Sequence, residues 1–185
     1  MNDTLPEWAR LARMKWKYTG QKRPPMADIP QPGQESVWDY PRPPIVREDT
    51  RTISVRFQKT ILAQSQNALR VLETASPPTI YIPFKDITWS HLIASDETSQ
   101  CEWKGIARYW VFDFGKEDID ICAWDYPNPF PEFSALVGYL AFHPTRLTCV
   151  IDDDPVFPQP GGLYGGWITR EIVGPFKGEA GTEGW

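Results

Sequence analysis

A chain of 185 residues that is 41% hydrophobic and 14% aromatic, with a formal net charge of -5, suits one core domain with ordered extensions and excludes two full domains or disorder throughout. No run of about 18 apolar residues is available to span a bilayer, and the opening MNDTLPEWAR lacks the apolar stretch of a secretory signal, so a cytoplasmic protein without a membrane span is expected. Three well-separated cysteines, Cys101, Cys122 and Cys149, are an odd number with no C-x-x-C pair; they argue for free buried thiols over a disulfide frame or a zinc site, and no metal or other cofactor is expected.

Residues 1–23 form a separate basic element. Thr4, Pro6 and Glu7 supply a capping box with proline in the permissive first turn, and Leu5, Trp8, Ala12 and Trp16 recur at helical spacing. Six basic and two acidic side chains give this arm a charge of +4, leaving -9 for the rest of the chain. The arm is therefore either a helix docked on its own acidic body, the preferred reading, or a helix for an anionic partner. Residues 24–34 are a proline-rich linker.

From residue 51 alternation takes over. In 52–58, Ile53, Val55 and Phe57 point one way while Thr52, Ser54, Arg56 and Gln58 point the other, as a half-buried strand requires. Further strands are expected at 60–65, 69–74, 79–83, 100–103, 105–113, 118–124, 137–142 and 147–151, divided by turn clusters such as ASPP and FGKED. The stretch SQNALRVLE also fits a short helix capped by Ser65, although strand is preferred. Short strands, 19 prolines and no long helical pattern predict a mainly β fold of antiparallel sheets in a core at 35–151. The remainder, 152–185, is rich in glycine and carries Tyr164, Trp167, Phe176 and Trp185; it is too sparse to build its own core and is expected to wrap around the body.

Several constellations could carry chemistry. Trp38-Asp39-Tyr40-Pro41 recurs as Trp124-Asp125-Tyr126-Pro127, either as two strand-end packing motifs or as two aromatic walls of one groove. Cys101-Glu102-Trp103-Lys104-Gly105 precedes a strand bearing Tyr109, and the glycine would let the backbone bend sharply after Lys104. A lysine among Trp and Cys residues is expected to have a lowered pKa, suiting it as a base, a nucleophile or a counter-charge; the competing reading is a solvated surface lysine. Glu73 shares a strand face with Leu69 and Val71 and needs a partner, with Lys104 and Arg108 as candidates. Asp152-Asp153-Asp154 is best read as a solvated acidic turn, and Asp118-Ile119-Asp120 as the polar face of a strand. Phosphate-loop, dinucleotide, zincin and nucleophile-elbow motifs are absent from the sequence.

Together ESVWDYPRPP (35–44), ILAQSQNALRVLET (61–74), PPTIYIPFKDI (77–87), CEWKGIARYW (101–110) and CAWDYPNPFPEFSALVGYLAFHP (122–144) resemble Domain of Unknown Function 427, also labelled nucleotidyltransferase-like family nine. The resemblance implies a compact β fold, barrel-like or tent-like, without a demonstrated activity. The C-terminal GGLYGGWITREIVGPFKG is similar to an extension carried by longer members. Glu73, Tyr81, Cys101, Trp103, Lys104, Gly105, Tyr109, Trp124 and Tyr126 match the family pattern.

The expected function is small-molecule binding, with or without catalysis, in a pocket built from Glu73, Tyr81, Cys101, Trp103, Lys104, Tyr109, Trp124 and Tyr126 and joined by Trp38 and Tyr40 if the two repeats converge. The alternative is a non-catalytic interaction module that uses the N-terminal helix and the aromatic extension to bind another protein. The acidic total argues against nucleic acid. Either a monomer or a small homo-oligomer fits this length.

Overall fold

The computed structural model describes residues 5–112 and 121–185. Thr4, the FGKED turn and the 118–120 part of one expected strand lie outside the described residues. One α-helix, α1 (Glu7–Arg13), opens the chain. Fifteen strands follow among the described residues: β1 (Glu35–Ser36), β2 (Ile45–Asp49), β3 (Ile53–Phe57), β4 (Thr60–Ser65), β5 (Ala68–Glu73), β6 (Ser76–Pro83), β7 (Leu92–Cys101), β8 (Gly105–Phe112), β9 (Ile121–Asp125), β10 (Tyr139–Phe142), β11 (Thr148–Ile151), β12 (Asp154–Pro155), β13 (Phe157–Pro158), β14 (Trp167–Ile168) and β15 (Ile172–Val173).

Two antiparallel sheets dominate. One has seven strands in the order β2-β5-β6-β10-β9-β8-β7 and the other four in the order β12-β11-β3-β4. The larger sheet is open at β2 and β7, so the protein is mainly β without a closed barrel. The segment 68–73 is a strand, as alternation predicts, because Leu69 and Val71 face one side and it pairs in register with β2 and β6.

Strand alternation divides the interior. Ile80 and Ile82 of β6, with Leu140 and Phe142 of β10, join Ile53, Val55, Leu62 and Cys149 in the core between the sheets. The intervening Tyr81 and Ala141 face the other way, into a second cluster with Trp103, Tyr126 and Leu136. This second face is where a cavity forms.

Two strands of the seven-stranded sheet escaped the sequence reading, β2 wholly and β7 except for Gln100 and Cys101 of the segment expected at 100–103, whose Glu102 and Trp103 form a turn instead, as did the two-residue strands β1, β12, β13, β14 and β15. β7 is exposed along most of its ten residues, and Leu92–Cys101 shows polar residues with little alternation, as an edge strand does. β2 is the opposite edge, with a pattern interrupted by charges at Arg47, Glu48 and Asp49. Neither has an apolar face regular enough to reveal it.

Both extensions pack on the body. Arg13 Nε donates to the Glu102 carbonyl at 2.7 Å, Trp8 lies 6.1 Å from Phe130 between ring centroids, and Arg23 pairs with Asp39. Trp167 is 1% exposed and donates its indole N–H to the Phe142 carbonyl at 3.1 Å. Trp185 packs edge-on against Trp38 at 5.2 Å, and β15 pairs with β1 in parallel. The basic helix and the aromatic tail are thus committed within the chain. No helix among the described residues is long and apolar enough to cross a membrane.

Candidate functional site

Alternation along β5 turns Val71 and Glu73 to the second face, and the same period along β6 turns Thr79 and Tyr81 there. The end of β7 and the turn after it add Ser99 to Lys104; β8 adds Tyr109, and β9 with its exit adds Trp124 and Tyr126. Above them lie Trp16 from the N-terminal arm, His143 after β10, and Gln159, Tyr164, Gly165 and Lys177 from the C-terminal extension. These groups enclose a cavity of about 380 Å³, within the range of small-molecule sites.

Eight of the ten site residues named from the sequence line this cavity: Glu73, Tyr81, Cys101, Trp103, Lys104, Tyr109, Trp124 and Tyr126. Trp38 and Tyr40 do not. They belong to a separate cluster with Tyr18, Leu72 and Trp185, where Trp38 is fully buried and donates to the Pro175 carbonyl at 3.1 Å. The two Trp-Asp-Tyr-Pro segments therefore occupy unlike places. The first sits on a 3-10 turn at Val37–Asp39, whereas the second ends strand β9. Identical residues acquire different surroundings because the flanking elements differ.

The turn after β7 aims Lys104 inward. Gly105 has φ +101°, a region that L side chains rarely adopt, and a Cβ there would meet nothing closer than 3.6 Å, so the glycine serves the backbone bend and not a close approach. Lys104 is 9% exposed and its Nζ lies 5.7 Å from the Tyr126 ring centroid. Contrary to expectation, its pKa is raised. Burial pushes it down, but the nearby Cys101, Tyr81 and Glu73 push it up more, so Lys104 stays a cation at neutral pH. The same surroundings move the tyrosines. Burial lifts the Tyr81 hydroxyl to about 12, and lifts Tyr126 well above its ordinary value with Cys101 adding to the effect. Both phenols are neutral hydrogen-bonding groups.

Glu73 pairs with neither of its expected partners. Arg42 holds it instead, through Nη2 at 3.0 Å and Nε at 3.1 Å, and also donates to the Tyr18 and Thr74 carbonyls. Arg108 is occupied by Asp125 at 2.7 Å, next to Trp110, which donates to the same carboxylate at 2.9 Å. The arrangement that binds Glu73 was invisible in sequence because Arg42 is 31 positions away and carries no local signal.

The remaining wall contacts fix the rings. Trp124 donates to Tyr81 Oη at 3.3 Å and Tyr109 Oη is 2.6 Å from Ser99 Oγ. Trp16 donates to Glu102 Oε1 at 2.9 Å, while the Arg42 guanidinium lies 4.2 Å from the Trp16 ring centroid. Among the described residues one buried side-chain polar atom is left over: the Trp103 indole N–H has no acceptor. Such a donor carries a desolvation cost of about 1–3 kcal/mol unless something accepts from it.

Sequence reasoning missed Trp16, Glu102, His143, Gln159, Tyr164 and Lys177 as wall residues. Burial lowers the His143 pKa, so its ring is neutral at physiological pH, and its Nδ1 lies 2.8 Å from Thr145 Oγ1. The lowered lysine is Lys177, at about 8, with burial as the main cause. Its only sequence signal was its place among the aromatics of the tail.

A family model described as a domain of unknown function (DUF427) matches residues 45–153. Curated proteins give no significant match. The matched span supplies the sheet side of the cavity, whereas Trp16, Gln159, Tyr164, Gly165 and Lys177 lie outside it.

Proposed function

The chain belongs to this DUF427 family, and from that premise we propose that it is a small-molecule-binding β protein whose ligand occupies the cavity around Cys101-Glu102-Trp103-Lys104-Gly105. The observation that carries the reading is convergence. Glu73, Tyr81, Cys101 and Tyr109 come from four separate strands and Lys104 and Tyr126 from the segments that follow β7 and β9, yet all line one aromatic-walled space of about 380 Å³. Ligand sites have this anatomy: large apolar walls with a few polar groups that set orientation.

The chemistry on offer is specific. Lys104 is a buried cation, Tyr81 and Tyr126 are neutral hydroxyls, and Cys101 is a partly exposed thiol beside them. The other two cysteines are buried, so Cys101 is the thiol within a ligand's reach. Three cysteines that form no disulfide also suit a reducing compartment, which supports a cytoplasmic location.

Native mass spectrometry of the protein purified gently from its host tests the reading. A bound mass is expected on the wild type and absent from Lys104→Ala, with circular dichroism unchanged. A bare protein in both cases, or a ligand retained by Lys104→Ala, counts against it.

A further inference from the structure

The second lysine of the cavity has a different setting from Lys104. The backbone of Lys177 is tied on both sides: its N–H donates to the Ala75 carbonyl at 2.8 Å, and its carbonyl accepts from Gln159 Nε2 at 2.7 Å. The residue is 4% exposed. Its Nζ lies 3.6 Å from the Trp16 ring centroid and 5.1 Å from that of Tyr164, and both rings are cavity walls.

The charged and titratable groups around this nitrogen are Glu73 on β5, Arg42 ahead of β2, Cys101 at the end of β7, Glu102 just after it, and Tyr164 and Glu183 on the extension itself. Glu73 is engaged by Arg42 and Glu102 by Trp16. Among the described residues Lys177 forms no salt bridge. Burial, opposed by Glu73 and helped by Arg42, brings its pKa to about 8. About a tenth of the nitrogen is therefore free amine at pH 7, far more than for an ordinary lysine, and this is the form that attacks carbonyl carbon.

Another cavity residue suits an anion. Lys104 lines the same space and stays charged, so it can hold a carboxylate or a phosphate, for which charge-assisted hydrogen bonds are strong.

We propose, on the small-molecule reading given above, that Lys177 captures a carbonyl compound bearing an anionic group, forming an imine at Nζ while the anionic group rests at Lys104. The nitrogen lone pair attacks the carbonyl carbon, the carbonyl oxygen takes up a proton, and the resulting carbinolamine loses water. Both amine hydrogens leave with that oxygen, so amine and carbonyl give imine and water with no change of oxidation state.

Incubation with glyoxylate, and separately with 4-carboxybenzaldehyde, in the presence of cyanoborohydride would reduce such an imine to a stable secondary amine. Peptide mapping is expected to find that adduct on Lys177 well before the other seven lysines, and Lys104→Met should slow it by about tenfold or more as the anion loses its anchor. Adducts spread evenly over surface lysines, or an unmodified Lys177 with both aldehydes, overturn the proposal. Binding of 4-(hydroxymethyl)benzoate, which has no carbonyl at the reactive position, separates the two readings. If this alcohol binds in a Lys104-dependent way while Lys177 stays unmodified, the imine is wrong and the pocket stands; if the alcohol also fails to bind, both readings fall.

Discussion

Arg42 reaches Glu73 Oε1 with two nitrogens, Nη2 at 3.0 Å and Nε at 3.1 Å, and the arginine side chain is only 1% exposed. This pair forms the floor behind the cavity. Its third and fourth contacts, to the Tyr18 and Thr74 carbonyls, join the N-terminal arm to the sheet.

Breaking the pair from one side leaves a buried charge without its counter-ion. Arg42→Ala is therefore expected to cost about 3–5 kcal/mol, more than replacing both partners by apolar residues of similar volume. Urea denaturation of Arg42→Ala, Glu73→Ala and Arg42→Met with Glu73→Leu checks this. Additive losses, the double variant costing the sum of the two singles, would mean that the ion pair is energetically idle.

Lys177 sets a pH dependence of stability with a definite sign. Its folded-state pKa, about 8, lies below the ordinary lysine value of 10.5, so the unfolded chain binds this proton more tightly. Stability should therefore rise as pH climbs from about 8 toward 9, above which the buried Cys149 thiol and then the buried tyrosines act in the opposite sense. Lys177→Met should remove that rise. Thermal melts of both proteins across the window decide it, and parallel curves would refute the assignment.

The C-terminal extension is expected to be part of the fold. Trp167→Ala removes a fully buried ring and its bond to Phe142, at a cost of about 3–5 kcal/mol, whereas Leu163→Ala, at a position 76% exposed, should stay within about 0.5 kcal/mol. Truncation at residue 160 should then unfold the core. A stable, monodisperse truncated chain would show the tail to be an appendage.

Gly165 makes room for a cavity wall. A Cβ added there would sit 2.1 Å from Cη2 of Trp124, so Gly165→Ala must displace that ring, at about 1–3 kcal/mol. Near-ultraviolet circular dichroism should change while the far-ultraviolet signal does not. Gly184→Ala, where nothing lies within 4 Å, is the control, and indistinguishable spectra for the two variants would rule out the close contact.

Alternation was enough to place β3, β4, β5, β6 and β8 close to their observed positions, because each buries one face and the pleat makes that burial periodic in sequence. The edges β2 and β7 were missed for the complementary reason. Strands that pair on one side and face solvent need no apolar period, and only the neighbouring strand identifies them.

Local sequence pattern was enough to establish that this chain builds antiparallel sheets with an aromatic interior, and to single out Cys101, Trp103 and Lys104 together with Glu73, Tyr81, Tyr109, Trp124 and Tyr126, all of them cavity-wall residues. The folded arrangement was needed to show that Trp38 and Tyr40 lie elsewhere, that Arg42 binds Glu73, and that the lysine with the lowered pKa is Lys177. Strand periodicity is written locally, in neighbours two apart. Ion pairing and pKa depend on distance and burial, and these are set by segments that meet in space from opposite ends of the chain.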